Sequence, residues 1–228
     1  MDQKNSFRQS SIRGTIIVIS VCVVMFLLEC VMSGSQNTTT LMRLGAMNNI
    51  AVAVAHQWWR LFTAQFLHIG VWHLVTNIVM IYYMGTLIEP SLGLTRFLTI
   101  YLLSGIGGNL FSFAFGSDTS VSAGASTALF GLFGAVVALG LRHRDNPTAA
   151  FAARQAFVLA LINLAIDLFL PNIDIWGHLG GLVFGFLLEF LLADRFFKKV
   201  NPKLFSVVLA ILIFLVVVAV RLGMVINY

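Results

Sequence analysis

Seven apolar stretches dominate this chain, and each is close to the length that crosses a lipid bilayer. They run from Thr15 to Met32, Gly70 to Ile88, Phe97 to Phe115, Ser126 to Leu141, Arg154 to Leu170, His178 to Ala193 and Leu204 to Leu222. A helix needs about 20 predominantly apolar residues to cross the hydrocarbon core. Inside lipid every backbone N–H and C=O must find its partner within the segment, so runs of this kind become helices. Of the 228 residues, 59% are hydrophobic and only 10% charged. Those proportions leave too little polar surface for a soluble domain and too little charge for a disordered one. The expected fold class is therefore all-α, a polytopic membrane protein with seven transmembrane helices in the lipid bilayer.

The charges orient the spans. Lys4, Arg8, Arg13, Arg96, Arg142, Arg144, Arg154, Arg195, Lys198, Lys199 and Lys203 fall on one side, and only Arg43, Arg60 and Arg221 on the other. Positive residues collect on the cytoplasmic face, which predicts a cytoplasmic N-terminus and a C-terminus outside. The net charge of +5 is thus a topology signal, and no nucleic acid partner is expected. A cleavable signal is not expected either, because no small-x-small site cleanly follows the first run. The short tails and the lack of a transit-type leader make a bacterial plasma membrane the expected location. Cys22 and Cys30 share the first run. On a helix they stand about 12 Å apart along the axis, too far to bridge, and no metal cluster surrounds them.

The long connection from Ser33 to Ile69 carries Trp58, Trp59, Phe62, Phe66 and Ile69 at helical spacing. That pattern predicts an aromatic belt or an interfacial helix. Asn37-Thr38-Thr39 matches a glycosylation acceptor and reads as a chance match.

Polar groups inside a span are costly, so each one is a functional candidate. His73 and Asn77 share a helical face in the second span. His178 opens the sixth. Ser120, Ser122, Gly124, Ala125 and Ser126 form a small-residue loop that leads into the fourth. The second, fourth and sixth spans all run inward by the charge argument, so these residues can converge near the outer face. A serine hydroxyl becomes a nucleophile when a histidine accepts its proton. An amide, a second histidine and backbone N–H groups can hold a developing oxyanion. No carboxylate is obviously placed to orient His178. Asp167 and Asp174 are near in sequence, but depth and direction argue against both, so a Ser–His dyad is expected rather than a triad. Gly181 and Gly185 follow His178 on its own face, and Ala128, Gly131, Ala135 and Ala138 form a matching stripe in the fourth span. Small stripes let helices pack backbone to backbone.

Taken in order, Trp59-Arg60, His73-x-x-x-Asn77, Gly124-Ala125-Ser126-Thr127 and His178-x-x-Gly181-x-x-x-Gly185 resemble the motifs of the rhomboid intramembrane serine proteases. The resemblance runs from about residue 15 to 195. It implies a six-helix catalytic core over 15–195, a cytoplasmic tail over 1–14, and a linker with an added seventh helix over 196–228 (a 6+1 bundle). It also implies that Ser126 is the nucleophile and His178 the general base and later acid. His73 and Asn77 become the oxyanion hole, and Gly124 allows the tight loop before the nucleophile. Trp59, Arg60, Glu89, Gly181 and Gly185 become structural motif residues, whereas Asp167 matches no motif. The implied activity is a serine endopeptidase that cuts transmembrane protein substrates in or beside the bilayer, with no metal and no cofactor. Two readings from other classes stand beside it. One is a non-catalytic rhomboid-like scaffold that binds transmembrane clients. The other is a small transporter, for which inverted repeats and midplane charges are expected and neither is found. The sequence carries no signal for oligomeric state.

Overall fold

A computed structural model describes residues 12–170, 173–192 and 201–226. Lys4, Arg8, Arg195, Lys198 and Lys199, used above for orientation, lie outside the described residues, as does the junction between the expected core and the last helix. The described chain forms α1 (Arg13–Met32), α2 (Thr38–Leu44), α3 (Asn49–Ala53), α4 (Arg60–Thr63), α5 (Val71–Leu92), α6 (Leu94–Phe115), α7 (Ser126–Arg142), α8 (Pro147–Asp167), α9 (Ile175–Leu191) and α10 (Pro202–Ile226). No strand occurs among the described residues; the one β-like feature is an isolated bridge between Met47 and Ser122. The protein is an all-α polytopic membrane protein, and α1 and α5–α10 are its seven apolar helices.

Five of these, α1, α5, α6, α8 and α10, are long and apolar enough to cross a membrane. The other two, α7 and α9, have 17 residues each. At 1.5 Å per residue they reach about 26 Å, short of the ~30 Å hydrocarbon core. These two short helices hold the centre of the bundle. In α7 nearly every residue is buried, whereas α8 buries only Ala156, Ala160 and Asp167.

Glycine makes the central contact possible. A Cβ on Gly185 or Gly181 of α9 would strike the carbonyl of Gly131 or Thr127 in α7, and one on Gly134 would strike that of Leu182. Lipid tails are as apolar as leucine, so helices in a bilayer gain little from burying apolar area. Close van der Waals packing must do that work; Gly181 and Gly185 supply it from α9 as expected, whereas on α7 the contact is made by Thr127, Gly131 and Gly134, of which only Gly131 belongs to the expected stripe.

Local chemistry sets the helix ends. Sequence placed the start of the fifth span at Arg154, but α8 begins at Pro147, about two turns earlier. Asn146 accepts hydrogen bonds from the N–H groups of Thr148 and Ala149, and proline suits a first helical position because its missing N–H costs nothing there. At the other end α8 stops at Asp167, not at Leu170. Between α5 and α6 a single residue turns the chain, Gly93, at φ +79°, a conformation that suits glycine.

Of the aromatic belt or interfacial helix expected for the connection between α1 and α5, the single helix does not form. It breaks into α2, α3, α4 and a 3₁₀ turn over Ala64–Phe66. Asn37 and Asn48 cap α2 and α3. Arg60 turns inward, donating from Nη1 to the carbonyl of Ala46 at 2.6 Å and from Nε to Gln57 Oε1 at 2.7 Å. A cation satisfied by interior carbonyls requires a folded loop around it, and that requirement overrides the helical period. Trp59, Phe62 and Ile69 stay exposed.

Glu89, near the end of α5, fastens α1. Its carboxyl group accepts from the N–H of Gly14 at 2.7 Å, and from the N–H and hydroxyl of Thr15 at 2.8 and 2.7 Å. These donors belong to the first turn of α1, where no intrahelical acceptor exists. Hydrogen bonds to charged groups contribute about 1.5–3 kcal/mol. Glu89→Ala is therefore expected to lower the thermal midpoint by several degrees, read in a Cys30→Ser background by a thiol-reactive dye on buried Cys22. An unchanged midpoint removes Glu89 from the structural set.

Candidate active site

The starts of α5, α7 and α9 meet the end of α8 around one cavity of about 410 Å³. His73, Asn77, Gly124, Ser126, Asp167 and His178 all line it. Ser126 is the first residue of α7. The cap position belongs to Ala125, and no side chain caps the helix, so the Ser126 hydroxyl is not spent on capping. It lies instead within hydrogen-bond distance of Nε2 of His178, at 2.7 Å. The N–H groups of the first turn of α7 have no intrahelical acceptors, and the helix dipole adds partial positive charge there.

Three contacts hold His178. Its ring stacks on Phe130 with centroids 4.3 Å apart and planes 14° from parallel. Its backbone N–H donates to the carbonyl of Asp174, whose side chain caps α9 by accepting from Gly177 N–H at 2.9 Å. Its Nδ1 lies 2.7 Å from Oδ2 of Asp167. The last contact brings an acid within hydrogen-bond distance of this histidine, where depth and direction in the sequence had argued against both Asp167 and Asp174. Asp167 ends a helix that arrives where α9 departs, so the two residues lie at one level. Asp174 is the acid that does not reach the ring.

Ser122 donates to Asp174 Oδ2 at 3.1 Å, which ties the loop before Ser126 to the start of α9. Gly124 takes φ +156°. A Cβ there would lie 2.7 Å from Cε1 of His73 and 3.4 Å from the Ser126 hydroxyl. The space that glycine leaves open is thus the space between His73 and Ser126. Asn77 donates from its amide to the carbonyl of His73, one turn back, at 2.8 Å. An amide nitrogen has two hydrogens, so a second donor remains on a residue that lines the cavity. The Asn77 oxygen is buried without a partner among the described residues.

Sequence reasoning passed over a second layer. Glu29, buried in α1, accepts the backbone N–H of His68 at 3.0 Å, and the His68 ring packs edge-on against His73 at 5.4 Å. An acid inside the first apolar run was the available signal. His68 is fully buried, and neither ring nitrogen has a partner among the described residues. Burial, with the nearby His73 adding to it, pushes the His68 imidazole down to about 3. Between about pH 6.5 and 3 the unfolded chain therefore binds a proton that the folded chain refuses, and stability falls as the pH falls through that window. The thermal midpoint is expected to drop on acidification from pH 7 to 4, and to drop less in His68→Gln. Equal slopes for the two proteins overturn this account.

The cavity is a pocket of mixed polarity within an apolar bundle, and among the described residues no cluster of His, Cys, Asp or Glu could hold a metal ion. A hydroxyl, an imidazole and a carboxylate in hydrogen-bonded series, beside unpaired N–H groups, can do acyl-transfer chemistry.

Comparison with known proteins agrees in family. The rhomboid domain model matches residues 55–195. Rhomboid protease GluP of Bacillus subtilis is 38% identical over 201 residues, covering 86% of this chain and 39% of its own length. RHOMBOID-like protein 1 of Arabidopsis thaliana is 37% identical over 173 residues, covering 73% of this chain and 44% of that protein. RHOMBOID-like protein 6, mitochondrial, from the same plant is 40% identical over 157 residues, covering 68% and 50%. The chain therefore spans half or less of the length of these curated relatives. The motif order, the helical bundle and the matched domain lead to one assignment: the chain belongs to the rhomboid family.

Proposed function

We propose that this protein is an intramembrane serine endopeptidase that hydrolyses peptide bonds in or next to transmembrane segments of other membrane proteins. The observation that carries the reading is the 2.7 Å contact between the Ser126 hydroxyl and His178 Nε2 at the mouth of two short helices. Ser126 Oγ attacks the scissile carbonyl carbon while its proton passes to Nε2 of His178. The carbonyl oxygen becomes an oxyanion, held by the Ser126 N–H with His73 and the free amide hydrogen of Asn77. As the C–N bond breaks, His178 gives the proton to the leaving amine. Water then attacks the acyl ester, His178 again taking the proton, and Ser126 is regenerated.

Residues 15–195 form the catalytic core, and α10 is an addition that packs against α6 and α9. The N-terminus is cytoplasmic and the active end faces outward in a bacterial plasma membrane. A helical peptide bond is shielded by its own hydrogen bonds, so a substrate segment must unwind before it reaches Ser126. The shortness of α7 and α9 supports water reaching the site below the headgroups.

The test is reconstitution into vesicles with a single-pass substrate, alongside a fluorophosphonate probe. The wild type is expected to cleave, and the probe to label Ser126. Cleavage that persists in Ser126→Ala, or no cleavage and no labelling in the wild type, overturns the assignment. In that event a client-binding scaffold is the better account.

A further inference from the structure

His73 is held from behind by one backbone hydrogen. The N–H of Ile69 donates to Nδ1 of the His73 ring at 3.4 Å. A ring nitrogen that accepts carries no hydrogen, so in the neutral imidazole the hydrogen sits on Nε2. Nε2 borders the gap that Gly124 leaves open: a Cβ on that glycine would lie 2.9 Å from Nε2 and 3.4 Å from the Ser126 hydroxyl oxygen. The bond at Nδ1 thus makes the other nitrogen a donor on the side where the oxyanion forms. In the opposite tautomer Nε2 turns a lone pair toward that charge, which it repels.

The Ile69 N–H needs an anchor of its own. Residues 67–70 belong to no helix, so no ladder of backbone bonds fixes them. The anchor comes from α1. The backbone N–H of His68 donates to Oε1 of Glu29 at 3.0 Å, across 39 positions of chain. The N–H of Gly70 turns back to the His68 carbonyl at 3.1 Å, and the His68 ring packs edge-on against that of His73. Glu29 is fully buried, where a carboxyl group is costly unless hydrogen-bonded. It also sits in the last turn of α1, where the helix dipole disfavours an acid. Helix stability therefore does not account for Glu29, whereas the segment that leads into His73 does.

We propose that Glu29 is a positioning residue: through the backbone of His68 and Ile69 it holds His73 in the tautomer that donates from Nε2 to the oxyanion, and it touches no substrate. This role rests on the Ser–His reading above and on His73 as an oxyanion donor. It gives the first apolar helix a part in the chemistry although no residue of α1 lines the cavity.

The experiment compares wild type with Glu29→Gln, Glu29→Leu, His73→Ala, the Glu29→Leu/His73→Ala double variant and Ser126→Ala in vesicles. It measures kcat and KM on a single-pass substrate, the rate of fluorophosphonate labelling, and the ring-nitrogen spectrum of isotope-labelled histidine, in which His73→Ala identifies the His73 signals. Glutamine keeps an oxygen for the His68 N–H; leucine does not. Glu29→Leu is expected to lose kcat by about 10–10²-fold, less than the loss of a whole oxyanion donor, with KM within about threefold and labelling slowed in parallel. Glu29→Gln is expected to recover at least about fivefold over Glu29→Leu. In wild type His73 is expected to carry its hydrogen on Nε2, and in Glu29→Leu partly on Nδ1. In the His73→Ala background Glu29→Leu is expected to cost less than about twofold, because the group it acts through is gone. An equal loss in both backgrounds, no recovery in glutamine, or a wild-type His73 with hydrogen on Nδ1 overturns the proposal, and the protease reading stands as long as Ser126→Ala is dead. If His73→Ala turns over like the wild type, the oxyanion role of His73 fails and the proposal with it. If Ser126→Ala cleaves normally, the protease reading itself fails. Should Glu29→Leu not fold, Glu29→Met takes its place and the wild-type spectrum keeps its power to overturn.

Discussion

Ser126→Ala and His178→Ala are each expected to reduce kcat/KM on a transmembrane substrate by at least about 10⁴-fold, and the double variant to be no worse than either. The expectation of non-additivity follows from the geometry. The Ser126 hydroxyl and His178 Nε2 share one hydrogen bond of 2.7 Å, and neither group has another partner that would let it act alone. Remove the base and the hydroxyl keeps its proton; remove the hydroxyl and the base has nothing to activate. The measurement is single-turnover cleavage in vesicles for the four proteins of the cycle. Losses that multiply, so that the double variant falls by the product of the two singles, mean that serine and histidine act separately.

The second large effect is expected far from the reacting atoms. Gly185→Val places a branched side chain against the backbone of Gly131, where α9 and α7 now touch. A side chain cannot be absorbed between two backbones, so the helices must part. Overpacking of a well-packed core costs about 1–3 kcal/mol and occasionally more. The catalytic cost is larger in proportion, because His178 rides on α9 and Ser126 on α7. A displacement of about 1 Å can cost on the order of 10²-fold in rate. Gly185→Val is therefore expected to lose cleavage by 10²-fold or more and to lower the thermal midpoint. Val217→Leu on the exposed side of α10 is the control for added bulk alone. Retention of wild-type cleavage in Gly185→Val denies that the glycine contact sets the Ser–His distance.

Some of this could be read directly from residues. The helix pattern was legible because lipid allows only internally bonded segments, so each apolar run had one outcome. The glycine stripes were legible because their spacing is a property of one helix at a time. Asp167 was not. Leu168, Phe169 and Leu170 continue the apolar run beyond it, which hid the end of α8 and made the acid look like an interior residue of the span. These three are exposed and lie past the helix. The same argument that set the other helices inward sets the fifth outward, which brings its end to the level of His178; direction favoured the contact that the sequence reading rejected. The loop before α5 failed for a different reason. Its aromatic period is real, but Arg60 takes a carbonyl acceptor from Ala46, 14 positions away, and no periodicity reports a demand of that range.

The attachment of α8 is uneven along its length. Near its start Ala149 and Ala153 lie against Gly140 of α7, Ala156 and Ala160 are buried, and Gln155 accepts from the Tyr83 hydroxyl at 3.2 Å. Beyond Ala160 its only buried residue is Asp167. The helix is thus held by close packing at one end and by few buried residues at the other, so local opening of α8 is expected to begin beside the cavity, at the end that carries Asp167.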